Sequence, residues 1–313
     1  MTKAFSRLPT NVVPSHYVIK LKPDLAKFTF SGEVVVQAKV LEPVTEVICN
    51  SSNLEIQSCS IKAGEGVVSP QVSLDQEQET CCLKVASPLT PGPATITYNF
   101  TGILNDKMRG FYRTKYQVEG EDRFAAVTQF EATDARQAFP CWDEPAVKAT
   151  FDIVIVAPKD RVVLSNMPET DSFEDPEDSG CNIVKFATSP IMSTYLVAVV
   201  VGEFDYIEDK TSEGISVRVY SPLGKKEQGR FALECAVKSL TFYSEFFNIP
   251  YPLAKYDMIA IPDFSSGAME NWGLVLYRET CILVDPANSS QSSKQWVAIV
   301  VCHETAHQWF GRG

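Results

Sequence analysis

Long apolar runs, basic residues and histidine are all scarce in this 313-residue chain. No segment approaches the ~20 consecutive apolar residues of a membrane-spanning helix. The most apolar run, Tyr195 to Val201, is too short for that and reads as a buried strand. Met1 to Thr10 is polar and carries no apolar signal core. Lys and Arg total 28 against 39 Asp and Glu, for a net charge of -11. That deficit argues against non-specific binding to nucleic acid or an anionic membrane surface. The 9 cysteines are odd in number and scattered. No pair has a zinc-ribbon or redox spacing, and most sit in apolar segments as small buried hydrophobes. A reducing compartment, the cytosol, is the expectation. With 45% hydrophobic and 21% charged residues, wholesale disorder is excluded.

What is present is a long series of strand signals. Tyr17, Ile19 and Leu21 alternate with polar neighbours, as do Val34, Val36, Ala38 and Val40, then Ala94, Ile96, Tyr98 and Phe100, then Phe151, Ile153 and Ile155. Short alternating runs separated by Pro, Gly, Asp and Ser describe an antiparallel β domain, a sandwich or saddle of sheets. Pro168 to Gly180 has almost nothing apolar and reads as a solvated loop between two strands. After about Asp209 the character changes. A strand pair around Gly214 to Tyr220 leads to a helical segment, Lys225 to Asn248, with Leu233, Ala236, Val237, Leu240 and Phe247 at helical spacing. Pro250 and Pro252 would stop it. Tyr256 to Ile261 reads as a buried strand, and Leu274 to Val284 as one strand or two. The Asn and Ser cluster from Asn288 to Ser293 offers N-caps for a helix from about Ser293 to Phe310.

That last helix carries His303-Glu304-Thr305-Ala306-His307, with two of the chain's 3 histidines. Residues four apart on a helix share a face, about 5–6 Å apart at Cβ. Two imidazoles so placed can converge on one Zn²⁺ at about 2.0–2.1 Å. Glu304 stands beside that face, placed to take a proton from water that the metal acidifies. The other reading is a chance pattern with two hydrogen-bonded histidines on an amphipathic helix. His16 reads as a strand surface residue. A second constellation, Gly267-Ala268-Met269-Glu270-Asn271, lies between two strands. Gly267 would admit a substrate backbone, or is an ordinary turn glycine. A third runs from Thr128 through Gln129 and Glu131 to Arg136, followed by Phe139 to Pro145. On its residues alone it reads, more often than not, as a polar loop at a domain junction.

These three segments, in this order, resemble the zinc metallo-aminopeptidases of the gluzincin class. The resemblance covers essentially the whole chain, from Leu8 and the Pro14 to Tyr17 motif to Phe310. It implies an N-terminal β aminopeptidase domain, 1–208, followed by the start of an α/β thermolysin-like zinc peptidase domain, 209–313. It implies one Zn²⁺ on His303 and His307, with Glu304 as general base. Glu270 and Glu131 would hold the free α-ammonium of a peptide substrate. Gln129 would line the first side-chain pocket, and Gly267, Ala268, Met269 and Asn271 complete the substrate-binding segment. The chain departs from the family where the family continues. No counterpart follows His307 for the glutamate that is the third zinc ligand, nor for the tyrosine that stabilises the oxyanion. Gly311-Arg312-Gly313 stands in place of Gly-Asn-Leu-Val-Thr, and Thr305 replaces the usual leucine. The expectation is thus a chain lacking the third ligand and the C-terminal helical domain, which would hold zinc weakly. It would be a cytoplasmic aminopeptidase releasing N-terminal residues from peptides, or an inactive isoform or fragment serving as a binding or regulatory module.

Overall fold

The computed structural model describes residues 7–64 and 66–310. The sequence departure at Gly311–Gly313 and most of the polar start lie outside them. The largest sheet has eight strands in the order Glu169–Asp175, Asp178–Phe186, Thr150–Pro158, Val12–Asp24, Thr29–Val40, Gly92–Ile103, Glu55–Ala63 and Gly66–Val68. The alternation read from the sequence is what builds it. Val34, Val36 and Ala38 stand opposite Tyr98, Ile96 and Ala94, and all six are buried, so one face enters the core and the other meets solvent. One pair differs from the antiparallel expectation. Val12–Asp24 runs parallel to Thr150–Pro158, with Tyr17, Ile19 and Leu21 opposite Phe151, Ile153 and Ile155. A parallel pair needs a crossover, and the intervening chain supplies it.

Two smaller sheets close over the same core. Val44–Asn50, Thr80–Leu89 and Gln71–Asp75 form one; Val162–Ser165, Val199–Gly202, Glu121–Gln129 and Gly110–Val118 form the other. Residues of all three sheets share one hydrophobic cluster. Three sequence expectations change here. Pro168 to Gly180 is no loop but most of a hairpin, whose first strand, Glu169–Asp175, is exposed except at Asp175. An edge strand solvated on both faces needs only backbone pairing, so its sequence shows no apolar alternation. Tyr195 to Val201 becomes a strand only from Val199, after a 3-10 turn at Thr194–Leu196. Leu274 to Val284 is one strand, Leu274–Arg278, then a 3-10 turn.

From Phe204 onwards the chain joins a five-stranded sheet in the order Phe204–Lys210, Ser216–Pro222, Lys255–Ile261, Leu274–Arg278, Ala268–Met269. The second, third and fourth strands are parallel neighbours. Helix α1, Arg230–Phe247, makes the crossover between Ser216–Pro222 and Lys255–Ile261. It ends before the prolines: Asn248 takes the left-handed conformation at φ 52 and caps the helix. Both faces of the central strands are covered, which is why Lys255–Ile261 is buried at every position. Ile259, Ile261, Leu274 and Leu276 face the core of the β unit. Met258, Ala260, Val275 and Tyr277 face the helices. Helix α2, Gln291–Ala306, packs on α1 and places its last turn beside the edge strand Ala268–Met269. No helix of the described residues is long and apolar enough to cross a membrane, and all nine cysteines are free thiols.

Candidate active site

The N-terminus of α2 is fixed by Ser290, whose hydroxyl accepts the Ser293 N–H at 3.1 Å. The helix turns Val297, Val300, Val301, Glu304 and Thr305 inward. It ends at Ala306 rather than at Phe310. His307 is its C-cap, and Gln308 and Trp309 make short bonds three residues back, a tightening common at helix ends. Thr305, at the family's leucine position, is fully buried. Its hydroxyl donates to the Val301 carbonyl at 2.7 Å and pairs with the Tyr256 hydroxyl at 3.1 Å. The polar substitution is thereby absorbed by hydrogen bonds. The sequence reading did not single out Tyr256; a tyrosine in a fully buried strand was the available signal.

His303 and His307 face one another with Nε2 atoms 3.2 Å apart and rings inclined at 84°. Two nitrogens on one tetrahedral zinc stand roughly 3.3 Å apart, so the pair is spaced as metal ligands require. The Glu304 side chain is 6% exposed and its Oε2 has no hydrogen-bond partner. Burial, then the charges of Glu270 and Glu131, push its carboxyl up to about 8. One ligand atom each from Glu270, Glu304 and His307 fall within 4.8 Å of one another. Glu131 is also held above the ordinary carboxylate range, first by desolvation, then by Glu270, with His307 acting in the opposite sense. The carboxylates of Glu131, Glu270 and Glu304 thus act on one another, and the close group of Glu270, Glu304 and His307, to which His303 does not belong, is a donor set suited to a divalent cation. His307 Nδ1 is buried without a partner among the described residues, so the support that a ligating imidazole usually has at its other nitrogen is missing there.

Of the segment Gly267 to Asn271, Glu270 belongs to this group. Ala268 and Met269 pair with Tyr277 and Leu276 and form the outer edge of the five-stranded sheet. One edge of their backbone is therefore open to an extended peptide. Gly267 is not among the positive-φ glycines. A Cβ placed on it would meet only Cys281 Sγ, at 3.7 Å. Neither a turn nor internal packing demands glycine there, which leaves the open side as its use. Met269 is buried in the core and Asn271 is 2% exposed; their side chains do not open to solvent. Gln129 ends its strand with a buried Oε1 lacking a partner.

The rest of the third constellation is structural. Arg136 donates from Nε to Asp143 Oδ2 at 3.0 Å and from Nη1 to Glu79 at 3.1 Å. Thr194 donates to the other Asp143 oxygen at 2.7 Å. His16 lies in the eight-stranded sheet, bonded to Thr150 and Asp152, apart from these groups.

Comparison with known proteins agrees with this architecture. Residues 13–196 match the peptidase M1 N-terminal domain and residues 231–312 the peptidase family M1 domain. The chain belongs to peptidase family M1, a gluzincin family, as the motifs imply. It is 49% identical over 314 residues to aminopeptidase M1 of Arabidopsis thaliana, covering 99% of this chain and 35% of that protein. It is 46% identical over 310 residues to the puromycin-sensitive aminopeptidase of Caenorhabditis elegans, covering 98% of this chain and 33% of that one. The chain spans about a third of the length of these curated relatives.

Proposed function

We propose that this chain carries the metal and substrate-anchoring groups of a zinc-dependent aminopeptidase, divided near residue 208 into a β unit and the start of a peptidase unit. The observation that carries this is the 3.2 Å approach of the two Nε2 atoms beside a buried, unpartnered Glu304 oxygen. His303 and His307 would hold Zn²⁺ and supply two of the three protein ligands usual for a catalytic zinc. When bound, zinc supplies Lewis acidity that polarises a carbonyl and lowers the pKa of water. Glu304, whose carboxyl is pushed up to about 8 by burial and two neighbouring carboxylates in the metal-free chain, would take and return the proton. Glu131 and Glu270, close enough for the one to raise the other's carboxyl, would flank and accept hydrogen bonds from a free α-ammonium, which an acylated amino terminus cannot make. Anchoring the terminus fixes which peptide bond reaches the metal, so positioning alone makes the chemistry exopeptidic. Gly267 and Ala268 would take the peptide backbone, and Gln129 would border the first side chain. Nine free thiols support the cytosol as its compartment.

The test is hydrolysis of aminoacyl arylamides by the protein that contains this chain. Release should require a free amino group and zinc, and Glu304→Gln should abolish it with zinc still bound. Equal turnover of N-acetylated substrates, or turnover unaffected by Glu304→Gln, would refute the assignment.

A further inference from the structure

The turn that leads into Gly267–Glu270 is gripped from the other unit. Asp263 and Thr114 exchange two hydrogen bonds across a sequence separation of 149 residues: the Asp263 N–H donates to Thr114 Oγ1 at 2.9 Å, and that hydroxyl donates to Asp263 Oδ2 at 3.2 Å. The Lys115 N–H donates to the same Oδ2 at 3.0 Å. The Tyr112 hydroxyl donates to the Asp263 carbonyl at 2.9 Å. These three residues lie on Gly110–Val118, the edge strand of the four-stranded sheet, so the Lys115 amide is free to bond outside it. Arg278 grips the same turn from within the peptidase unit. It donates to the Phe264 carbonyl at 3.2 and 3.0 Å and to the Ser265 carbonyl at 2.8 Å, while its N–H bonds to the Gly267 carbonyl at 2.9 Å. Ser265, Ser266 and Gly267 are exposed between these holds.

The grip joins the two segments that carry Glu131 and Glu270. Gly110–Val118 pairs along its length with Glu121–Gln129, with Thr114 opposite Ala125 and Gly110 opposite Gln129. Glu131 follows two residues later. On the other side, Asp263 opens the turn that ends in Ala268–Met269 and Glu270. We infer that Asp263 and Thr114 are positioning residues that set the span between Glu131 and Glu270, and so the selectivity for a free amino terminus. This inference rests on the ammonium-anchoring reading above. The two carboxylates repel when the site is empty, and flanking one small cation needs both within hydrogen-bond reach of it. The clamp, which touches neither carboxylate, opposes the repulsion and holds the gap without closing it.

The experiment compares leucinamide with N-acetyl-leucinamide binding to the zinc-loaded full chain by calorimetry, in the wild type and in Asp263→Ala, Asp263→Asn and Thr114→Val. The expected result is a preference for the free amine that falls by about tenfold in Asp263→Ala and Thr114→Val, with zinc affinity unchanged. Asp263→Asn keeps a carbonyl oxygen for the Thr114 hydroxyl and the Lys115 amide, and should retain the preference within about twofold. Combining Asp263→Ala with Thr114→Val should cost less than the sum of the two, because the substitutions share the bond from the Thr114 hydroxyl to Asp263 Oδ2. Should Thr114→Val fold with a wild-type melting profile and a wild-type preference, the clamp inference is wrong. A wild-type protein that does not distinguish the two amides overturns the ammonium anchor first, and the clamp with it.

Discussion

Glu304→Gln in the metal-free protein offers a direct reading of how strongly this site resents its own charge. The Glu304 carboxyl is moved from 4.5 to about 8, mainly by burial and then by Glu270 and Glu131. A tenfold change in proton affinity corresponds to about 1.36 kcal/mol, so the ionised form costs at most about 5 kcal/mol in the fold. The sign follows from linkage. A group whose folded-state pKa is raised contributes its relative stability in full below the unfolded value, and loses it as pH climbs through the folded value. The wild-type protein should therefore weaken between about pH 4.5 and 8. The amide variant cannot ionise and should weaken much less, although Glu131, raised for similar reasons, remains in both. Urea unfolding with a chelator present at pH 5, 7 and 9 measures this. The two proteins should nearly coincide at pH 5, and the variant should be the more stable at pH 9, by up to about 5 kcal/mol. Equal stability at pH 9 would refute the claim that Glu304 is held, uncompensated, in a desolvated acidic cluster.

Two further outcomes follow from the packing. Asp143→Ala removes one of the two carboxylates on the Arg136 guanidinium, leaving Glu79, and the acceptor of the Thr194 hydroxyl; the loss should cost about 1–3 kcal/mol by denaturant unfolding. Gly102→Ala would place a Cβ 2.3 Å from the Phe30 ring, and the forced repacking should cost about 1–3 kcal/mol, read as a lowered Tm.

Much of this was legible in the chain because period-two burial leaves a direct trace. Tyr17, Ile19 and Leu21 announced their strand, and Leu233, Ala236 and Leu240 their helix. Glu169–Asp175 left no trace, since a doubly solvated edge strand is held by backbone bonds that any side chain permits. The approach of His303 to His307 was legible because two imidazoles one helical turn apart meet through local geometry. Glu131 and Glu270 became a pair only through the resemblance, because their proximity depends on two sheets meeting. The Asp263–Thr114 clamp was invisible for the same reason: its partners are common residues, far apart in sequence, whose hydrogen bonds exist only after the units pack. The structural role of Arg136 and Asp143 in the third constellation likewise depended on where the Arg136 guanidinium points.

The measurement that bears most directly on the central claim is zinc binding by competition with a chromophoric chelator, in the wild type, His303→Ala and His307→Ala. If both imidazoles grip one ion, each substitution should weaken binding by about tenfold or more, with the folded baseline unchanged by circular dichroism. Unaltered affinity in the two variants would mean that the histidines merely hydrogen-bond to one another, and that no metal centre is built on this helix.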